Sequence, residues 1–159
     1  MQRLVVTGNS AGGYAALVFG TLLGADTVLG FSPQTVLDLD LLRGWGDDRW
    51  ERRITKLMDE GRIPSRWLDL REALPAAEPL PGASRSGTTC ELYFDAELEL
   101  DRLHAEHIAD VPGVHLHPRK GGEHKLAREL RQSGELEEVL QRALLGSVPP
   151  DGSTMPDAT

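Results

Sequence analysis

The residues with the clearest chemical potential form the stretch Gly8-Asn9-Ser10-Ala11-Gly12. A serine with this glycine spacing, between a buried strand and a buried helix, is typical of a nucleophile elbow. In such a turn the serine backbone is strained and its oxygen projects above the sheet. Side chains two positions before and after the serine would collide, so we expect sterics to require Gly8 and Gly12. The chemistry indicated is attack by the Ser10 oxygen on a carbonyl carbon.

The same turn predicts a binding site for the negative charge that the attack creates. Ala11 would begin the following helix, where backbone N–H groups lack an acceptor within the helix. We therefore expect the Ala11 N–H to donate to the oxyanion, assisted by the helix dipole. The pentapeptide alone would also fit a phosphate-binding or merely tight turn, and only its flanking elements favour the elbow. A dinucleotide site is disfavoured because Gly-x-Gly-x-x-Gly is absent.

A serine nucleophile needs a base, which in this type of site follows the acid along the chain. Four of the five histidines lie inside predicted helices or strands: His104, His107, His115 and His117. His124 instead follows the flexible stretch Lys120-Gly121-Gly122-Glu123 and directly precedes a predicted helix. The two glycines would let the chain fold back toward Ser10. His124 is therefore the predicted base.

The acid is expected just after the third strand. Four carboxylates qualify by position: Asp95, Glu97, Glu99 and Asp101. The acid must orient the histidine and stabilise its charged form. Asp95 comes directly off the end of the predicted strand, whereas Asp101 stands at the beginning of a predicted helix. These positions alone leave the choice between the two open.

The elements around Ser10 form a strand–helix–strand unit. Leu4–Thr7 is short, apolar and β-branched, as expected for a strand buried on both faces. Ala11–Leu23 predicts a helix without a polar face, which Gly24 ends. Thr27–Phe31 predicts a second buried strand. This order indicates a right-handed βαβ unit of a parallel sheet.

The rest of the chain continues the alternation of strands and helices. Further strands are predicted at Glu91–Phe94 and Val114–His117, and further helices over residues 98–110, 123–131 and 135–145. Residues 1–146 are therefore predicted to form one α/β domain, a three-layer sandwich with a mainly parallel sheet of about four strands. Residues 147–159, nearly devoid of apolar side chains, predict a disordered tail.

Residues 36–88 predict a helical, lid-like insertion after the second strand. Helices are expected over residues 47–60 and from Pro64, and a loop over residues 75–87. The segment contains all three tryptophans, at positions 45, 50 and 67. We expect each to pack a helix onto the sheet rather than line a pocket. The charged run from Arg49 to Arg53 mixes both signs and predicts a solvated helix face.

Composition excludes several classes of function. The net charge of −8 argues against binding to nucleic acid or to an anionic membrane surface. The longest uncharged stretch contains polar residues and glycines, and so does not predict a membrane span. The single cysteine, Cys90, rules out an internal disulfide and a cysteine-rich zinc site, and predicts a buried thiol. A cytoplasmic protein is the expectation.

The stretch Gly8–Leu17 resembles the elbow and following helix of the α/β-hydrolase superfamily, of the bacterial serine esterase type. Three shorter segments are similar to its strand-end loop, its acid-bearing segment and its histidine loop: Phe31–Thr35, Leu100–Ala105 and Gly122–Leu126. The resemblance implies the C-terminal half of that fold. It also implies that Asp101, ahead of Asp95, is the acid of a triad with Ser10 and His124.

The activity implied is a serine hydrolase that acts on an ester-type bond of a small-molecule acyl or ester substrate, without cofactor or metal. An acyltransferase on the same fold and a non-catalytic binding or assembly module are the alternatives. A metal site built from His115, His117 and His124 is disfavoured because no recognised ligand spacing is present.

The sequence departs from the family's pattern before the elbow. A complete α/β-hydrolase sheet has further strands there, and a loop among them supplies a second oxyanion donor. Here the elbow strand begins within a few residues of Met1, which would leave it with an unpaired apolar edge. We therefore expect a fragment whose missing N-terminal segment completes the sheet, a homodimer or heteromer that pairs this edge, or a degenerate form.

Overall fold

Four parallel strands form the centre of the fold in a computed structural model, which describes residues 3–83, 87–121 and 123–146. The strands are β1 (Val5–Asn9), β2 (Thr27–Phe31), β3 (Thr89–Asp95) and β4 (Val114–Arg119). They follow one another in the order β1-β2-β3-β4, and every neighbouring pair is parallel. The predicted α/β class with a parallel sheet of about four strands is confirmed.

Seven α-helices connect and cover these strands in the described part of the chain. They are α1 (Ala11–Leu23), α2 (Leu39–Trp45), α3 (Glu51–Asp59), α4 (Leu70–Ala76), α5 (Glu99–His107), α6 (Leu126–Ser133) and α7 (Glu135–Leu145). Short 3-10 helices occupy Ser65–Trp67 and Glu123–Lys125. None of these helices has the length and apolar character needed to cross a membrane.

The central strands are buried on both faces because helices cover both sides of the sheet. Val28 and Leu92 face a core that also contains residues of α1 and α4. Their neighbours Leu29 and Tyr93 face a second core with residues of α6 and α7. Successive strand residues point to opposite faces, so each continuous apolar strand serves two cores. This arrangement gives the three layers.

Helices α2, α3 and α4 lie in the segment between β2 and β3. A small core of Val36, Leu37, Leu42 and Ile54 holds the first part of this segment together. Trp67 packs in the main core beside α1, where its backbone carbonyl accepts a hydrogen bond from the Tyr14 hydroxyl. Trp45 contacts two histidine rings of α5 edge-on.

Several boundaries in this segment differ from the prediction. The helix expected over residues 47–60 begins at Glu51, because Gly46 ends α2 in a left-handed conformation and the Asp47 carboxylate accepts the backbone N–H of Arg49 at 3.2 Å. Where a helix was expected from Pro64, the structure has a short 3-10 helix over Ser65–Trp67. The helix α4 begins later, at Leu70, and Asp69 is its N-cap. The tail predicted over residues 147–159 lies outside the described residues.

Strand β1 lies at one edge of the sheet that the described residues form. Two large apolar side chains near it are exposed, Leu4 at 44% and Phe19 at 58%. Cys90, by contrast, is buried on β3, and burial raises the pKa of its thiol to about 12. The carboxyl ends of the parallel strands β1, β2 and β3 lie at the same end of the sheet. Ser10 and the segments that follow β2 and β3 come together at this end.

Candidate active site

Ser10 occupies the sharp turn between β1 and α1. Its backbone has φ 54° and ψ −121°, a combination that residues with a side chain rarely adopt. Three backbone hydrogen bonds hold the turn: the Ser10 N–H donates to Phe31 O at 2.9 Å, and Ser10 O accepts from the N–H groups of Tyr14 and Gln34 at 3.1 and 3.2 Å. The strained conformation is thus fixed from both β2 and α1.

The glycines around Ser10 do not share one role. A Cβ at Gly8 would lie 2.0 Å from the carbonyl oxygen of Gly12, so no side chain fits there. A Cβ at Gly12 would meet nothing within 4 Å, and the prediction that sterics require a glycine at this position is wrong. Gly13 is the second crowded position, with a Cβ 2.7 Å from the side chain of Pro33. A Cβ at Gly8 would collide with backbone atoms of Gly12, and these atoms would be present with any residue at position 12.

His124 lies against Ser10 although 114 positions separate them. Its Nε2 is 2.7 Å from Ser10 Oγ, and its Nδ1 is 2.9 and 3.0 Å from the two carboxylate oxygens of Asp101. An ionised carboxylate only accepts hydrogen bonds, so the proton of a neutral imidazole belongs on Nδ1. Nε2 is then free to accept the hydroxyl proton of Ser10.

Asp101, rather than Asp95, contacts the histidine. Asp101 lies in the first turn of α5, where the helix dipole favours a carboxylate, and its side chain is fully buried. Asp95 lies at the end of β3, and its Oδ1 accepts the backbone N–H of Glu97 at 2.9 Å. The candidate acid that contacts His124 is therefore the one at the start of α5, and not the one at the end of β3.

The buried Asp101 carboxylate is held in its ionised form. Burial by itself would raise the pKa of this carboxyl, but hydrogen bonds from His124 and from Arg49 outweigh it and lower the pKa below its usual range. An ionised acid beside Nδ1 is what stabilises a protonated imidazole. Asp101 therefore carries the negative charge that stabilises His124 once the imidazole has taken up a proton.

A backbone donor stands beside the serine oxygen. Ala11 is the first residue of α1, and N–H groups in a first helical turn have no acceptor within the helix. The dipole of the thirteen-residue helix adds partial positive charge at this end. The Ala11 N–H lies at this end of the helix, and its role as an oxyanion donor stays a prediction. Among the described residues, no group of three or more histidine, cysteine or acidic side chains could hold a metal ion.

A charged cluster that the sequence did not predict touches the acid. Arg49, in the loop between α2 and α3, donates from Nη1 to Asp101 Oδ1 at 3.0 Å. Its Nε and Nη2 donate to the two oxygens of Asp47 at 2.9 and 2.7 Å. His104 Nε2 lies 3.1 Å from Asp47 Oδ2. The prediction of a solvated helix face is wrong for Arg49, whose side chain is 26% exposed and precedes the helix.

The carboxylates of this cluster predict a loss of stability in acid. Burial would raise the pKa of Asp47, but hydrogen bonds from His104 and Arg49 outweigh it and hold the pKa well below its usual range. A carboxyl whose pKa is lower in the folded state binds fewer protons there, so folding is favoured above the unfolded value of about 4. This stabilisation is lost as the pH falls from about 4 toward the folded pKa. The slope approaches about 1.4 kcal/mol per pH unit for each proton taken up.

Urea unfolding between pH 3 and pH 7 measures this effect. Asp47→Asn should have a smaller pH dependence of the unfolding free energy than the wild type. The exposed neighbour Asp48 gives the matched control, since Asp48→Asn should retain the wild-type slope. Equal slopes in the two variants would contradict the assignment of acid sensitivity to Asp47.

Comparison with known structures identifies the fold. A structure named as the non-heme bromoperoxidase BpoC of Mycobacterium tuberculosis matches with a TM-score of 0.53 and 15% identity, covering 91% of this chain and 67% of that one. A lipase-esterase related protein of Clostridium acetobutylicum matches with a TM-score of 0.52 and 17% identity, over 88% and 66% of the two chains. An α/β-hydrolase from a metagenome of lagoon sediments at Mar Chica, Morocco, matches with a TM-score of 0.51 and 14% identity, over 89% and 62%.

These similarities show that the chain has the α/β-hydrolase fold. At 14 to 17% identity they concern the fold alone, and the chain spans 62 to 67% of the length of the matched structures. No protein-family model and no curated protein sequence matches the chain. The comparisons therefore establish the fold, and the chemistry depends on the geometry of the site.

Proposed function

We propose that this chain is a serine hydrolase that cleaves an ester-type bond, with Ser10 as nucleophile, His124 as base and Asp101 as acid. One observation carries the proposal: a continuous series of hydrogen-bond contacts runs from Ser10 Oγ through both nitrogens of His124 to the Asp101 carboxylate, with distances of 2.7 to 3.0 Å. The strained backbone at Ser10 supports it further, because such strain is common where a side chain must be presented for reaction.

The reaction follows from this geometry in two halves. His124 Nε2 takes the hydroxyl proton while Ser10 Oγ bonds to the carbonyl carbon, and the carbonyl electrons move onto oxygen. The tetrahedral intermediate collapses, the alcohol leaves with the proton from Nε2, and an acyl group remains on Ser10. Water then attacks in the same way, with His124 again as base, and releases the carboxylic acid. Asp101 holds the Nδ1–H throughout and stabilises the charged imidazole.

The oxyanion needs donors close to the serine. The Ala11 N–H supplies one, and the loss of a single donor from such a site typically costs roughly 10²–10³ in rate. We propose that a second donor comes from a segment that pairs with the edge of β1 that the described residues leave unpaired, in a longer form of this protein or in another chain. Leu4, directly before β1, and Phe19, on the helix α1 that packs against β1, are exposed apolar side chains that support such a partner.

Covalent labelling tests the proposal directly. The folded protein is incubated with diisopropyl fluorophosphate, and the modified peptide is identified by mass spectrometry. We expect one adduct, on Ser10, and none in Ser10→Ala, while Ser133→Ala on the exposed end of α6 should label like the wild type. A folded protein without an adduct on Ser10 would overturn the hydrolase and favour a binding module.

The products of a simple ester separate hydrolysis from acyl transfer. With p-nitrophenyl acetate in water, a hydrolase releases acetate at the same rate as p-nitrophenol. An acyltransferase would release p-nitrophenol only in an initial burst until an alcohol or amine acceptor is added. Circular dichroism on every variant shows whether a loss of reaction reflects a loss of fold.

A further inference from the structure

The acid of the proposed triad is held by a residue from outside the strands and helices that carry the triad. Arg49 lies in the loop that joins α2 to α3, in the segment between β2 and β3. Its Nη1 donates to Asp101 Oδ1 at 3.0 Å, the same oxygen that lies 2.9 Å from His124 Nδ1. One carboxylate oxygen thus connects the guanidinium to the imidazole.

The guanidinium is itself locked in place. Two of its nitrogens donate to the two oxygens of Asp47, a bidentate geometry that fixes the plane of the group. With that plane fixed, the remaining terminal nitrogen can point in only one direction, which is toward Asp101. The Asp47 side chain is 2% exposed, so this anchor is shielded from water and from salt.

A second group fixes the anchor. The backbone N–H of Thr35 donates to His104 Nδ1 at 3.1 Å, so the other ring nitrogen carries the proton and donates to Asp47 Oδ2 at 3.1 Å. The Thr35 hydroxyl donates to the backbone oxygen of His104 at 2.7 Å. The support therefore starts from the backbone just after β2 and reaches the acid through three buried or half-buried side chains.

Charge explains why this cluster needs every member. Asp47 and Asp101 are two buried carboxylates, with side-chain exposures of 2% and 0%. Each would be strongly destabilised without a cationic partner. Arg49 is the one arginine in ion-pair contact with both, among the residues that the structure describes. Without it, Asp101 would have to take up a proton, which removes the negative charge that stabilises a protonated His124, or turn away, which removes the acceptor from Nδ1–H.

We propose that Arg49 is the positioning residue of the triad: it holds the Asp101 carboxylate in the orientation that His124 Nδ1–H requires, and Asp47 and His104 hold Arg49. The inference rests on the proposed function for its effect on catalysis. Its structural part, the order of the Asp101–His124 pair, does not depend on turnover. Among the residues that the structure describes, Arg49 is the charged side chain that contacts the Asp101–His124 pair, and Asp47 in turn contacts Arg49.

Steady-state kinetics with p-nitrophenyl acetate test the catalytic part. In Arg49→Met we expect kcat to fall roughly 10- to 100-fold, since a misplacement of about 1 Å in a catalytic group can cost 10²-fold. KM should change less than about twofold, because Arg49 acts on Asp101 and not on the ester. Arg49→Lys should recover part of kcat, since an ammonium keeps the charge but cannot bridge both carboxylates as a planar fork does.

The matched control is Arg52→Met, three residues along the chain. Arg52 is exposed on α3 and carries the same charge, so this variant should retain the wild-type kcat and KM. If Arg49→Met behaves like Arg52→Met, the inference is overturned and the proposed function still stands. If Arg49→Met does not fold, Arg49→Lys and Asp47→Asn decide, because each should lower kcat several-fold, and wild-type values in both would overturn the inference.

Proton NMR tests the structural part without any turnover. A histidine Nδ1–H bonded to a carboxylate gives a far-downfield signal, which His124→Asn assigns by removing it. We expect the signal in the wild type and in Arg52→Met, a weaker one in Arg49→Lys, and none in Arg49→Met. A wild type with the signal but without a Ser10 adduct would overturn the proposed function alone. An unchanged signal in folded Arg49→Met would overturn the inference alone.

Discussion

Replacing Asp101 by Asn should lower the rate at which Ser10 reacts by roughly 10⁴, the loss seen when a triad acid becomes an amide. The amide has nearly the same shape, but its NH₂ group can donate to His124 Nδ1. The imidazole proton would then move to Nε2, which could no longer accept the proton of Ser10. The rate constant for labelling by diisopropyl fluorophosphate and kcat/KM for p-nitrophenyl acetate both measure this loss.

Asp95→Asn is the companion experiment, because Asp95 is the alternative acid that the sequence allows. Asp95 contacts the backbone of its own turn at Glu97, so its variant should lose far less of the labelling rate than Asp101→Asn. Thermal unfolding of both variants separates a catalytic loss from a loss of fold. If the order of the two effects is reversed, Asp95 is the acid and the contact seen at Asp101 is structural.

The second large effect is expected at Gly8. The Cβ of Gly8→Ala would lie 2.0 Å from Gly12 O, 2.4 Å from Gly12 C and 2.8 Å from Gly13 N. All three atoms are backbone at the start of α1, so relief requires moving the helix or opening the turn. We expect a destabilisation of at least about 4 kcal/mol. That is a large part of the 5–15 kcal/mol that typically stabilises a domain.

Gly12→Ala is the matched control because it changes the other glycine of the motif. A Cβ at Gly12 has open space, and alanine is favoured over glycine within a helix by roughly 0.5–1 kcal/mol. Urea unfolding should therefore show Gly12→Ala at or slightly above the wild-type stability, and Gly8→Ala far below it or insoluble. Similar losses in the two variants would contradict the asymmetry of the turn.

Continuous apolar segments were the most predictable part of the fold. The bounds expected for α1 and β2 agree with the structure, because each is a run without charged residues that turn signals bound. The bounds of the amphipathic α7 also agree, because Gly134 and Gly146 flank it. Strand β1 extends two residues beyond the expected end, since Gly8 and Asn9 pair with Gly30 and Phe31 on β2. Pairing of this kind depends on a neighbour that the local sequence does not specify.

In the candidate site, too, local patterns could be predicted from the sequence and contacts with distant residues could not. Ser10 was accessible from a local motif and His124 from its order along the chain. The order left Asp95 and Asp101 open, and only the family resemblance favoured Asp101, the carboxylate that lies against His124 in the structure. Arg49 was not accessible, because its partner Asp101 lies 52 positions away and the surrounding run of mixed charges resembles any exposed surface. The free space beside Gly12 could not be predicted, because the motif gives residue types and not which of their atoms would collide.

The long distances along the chain between contacting residues also bear on how the protein folds. The Ser10–His124 contact spans 114 positions, and all four strands are parallel, so each pairing requires a crossover. The entropy of closing such loops opposes folding until non-local contacts compensate for it, which makes parallel sheets slow to form. The contact between Ser10 and His124 is therefore expected to form only when the sheet is complete. Covalent labelling of Ser10 during refolding would then time the final step of folding.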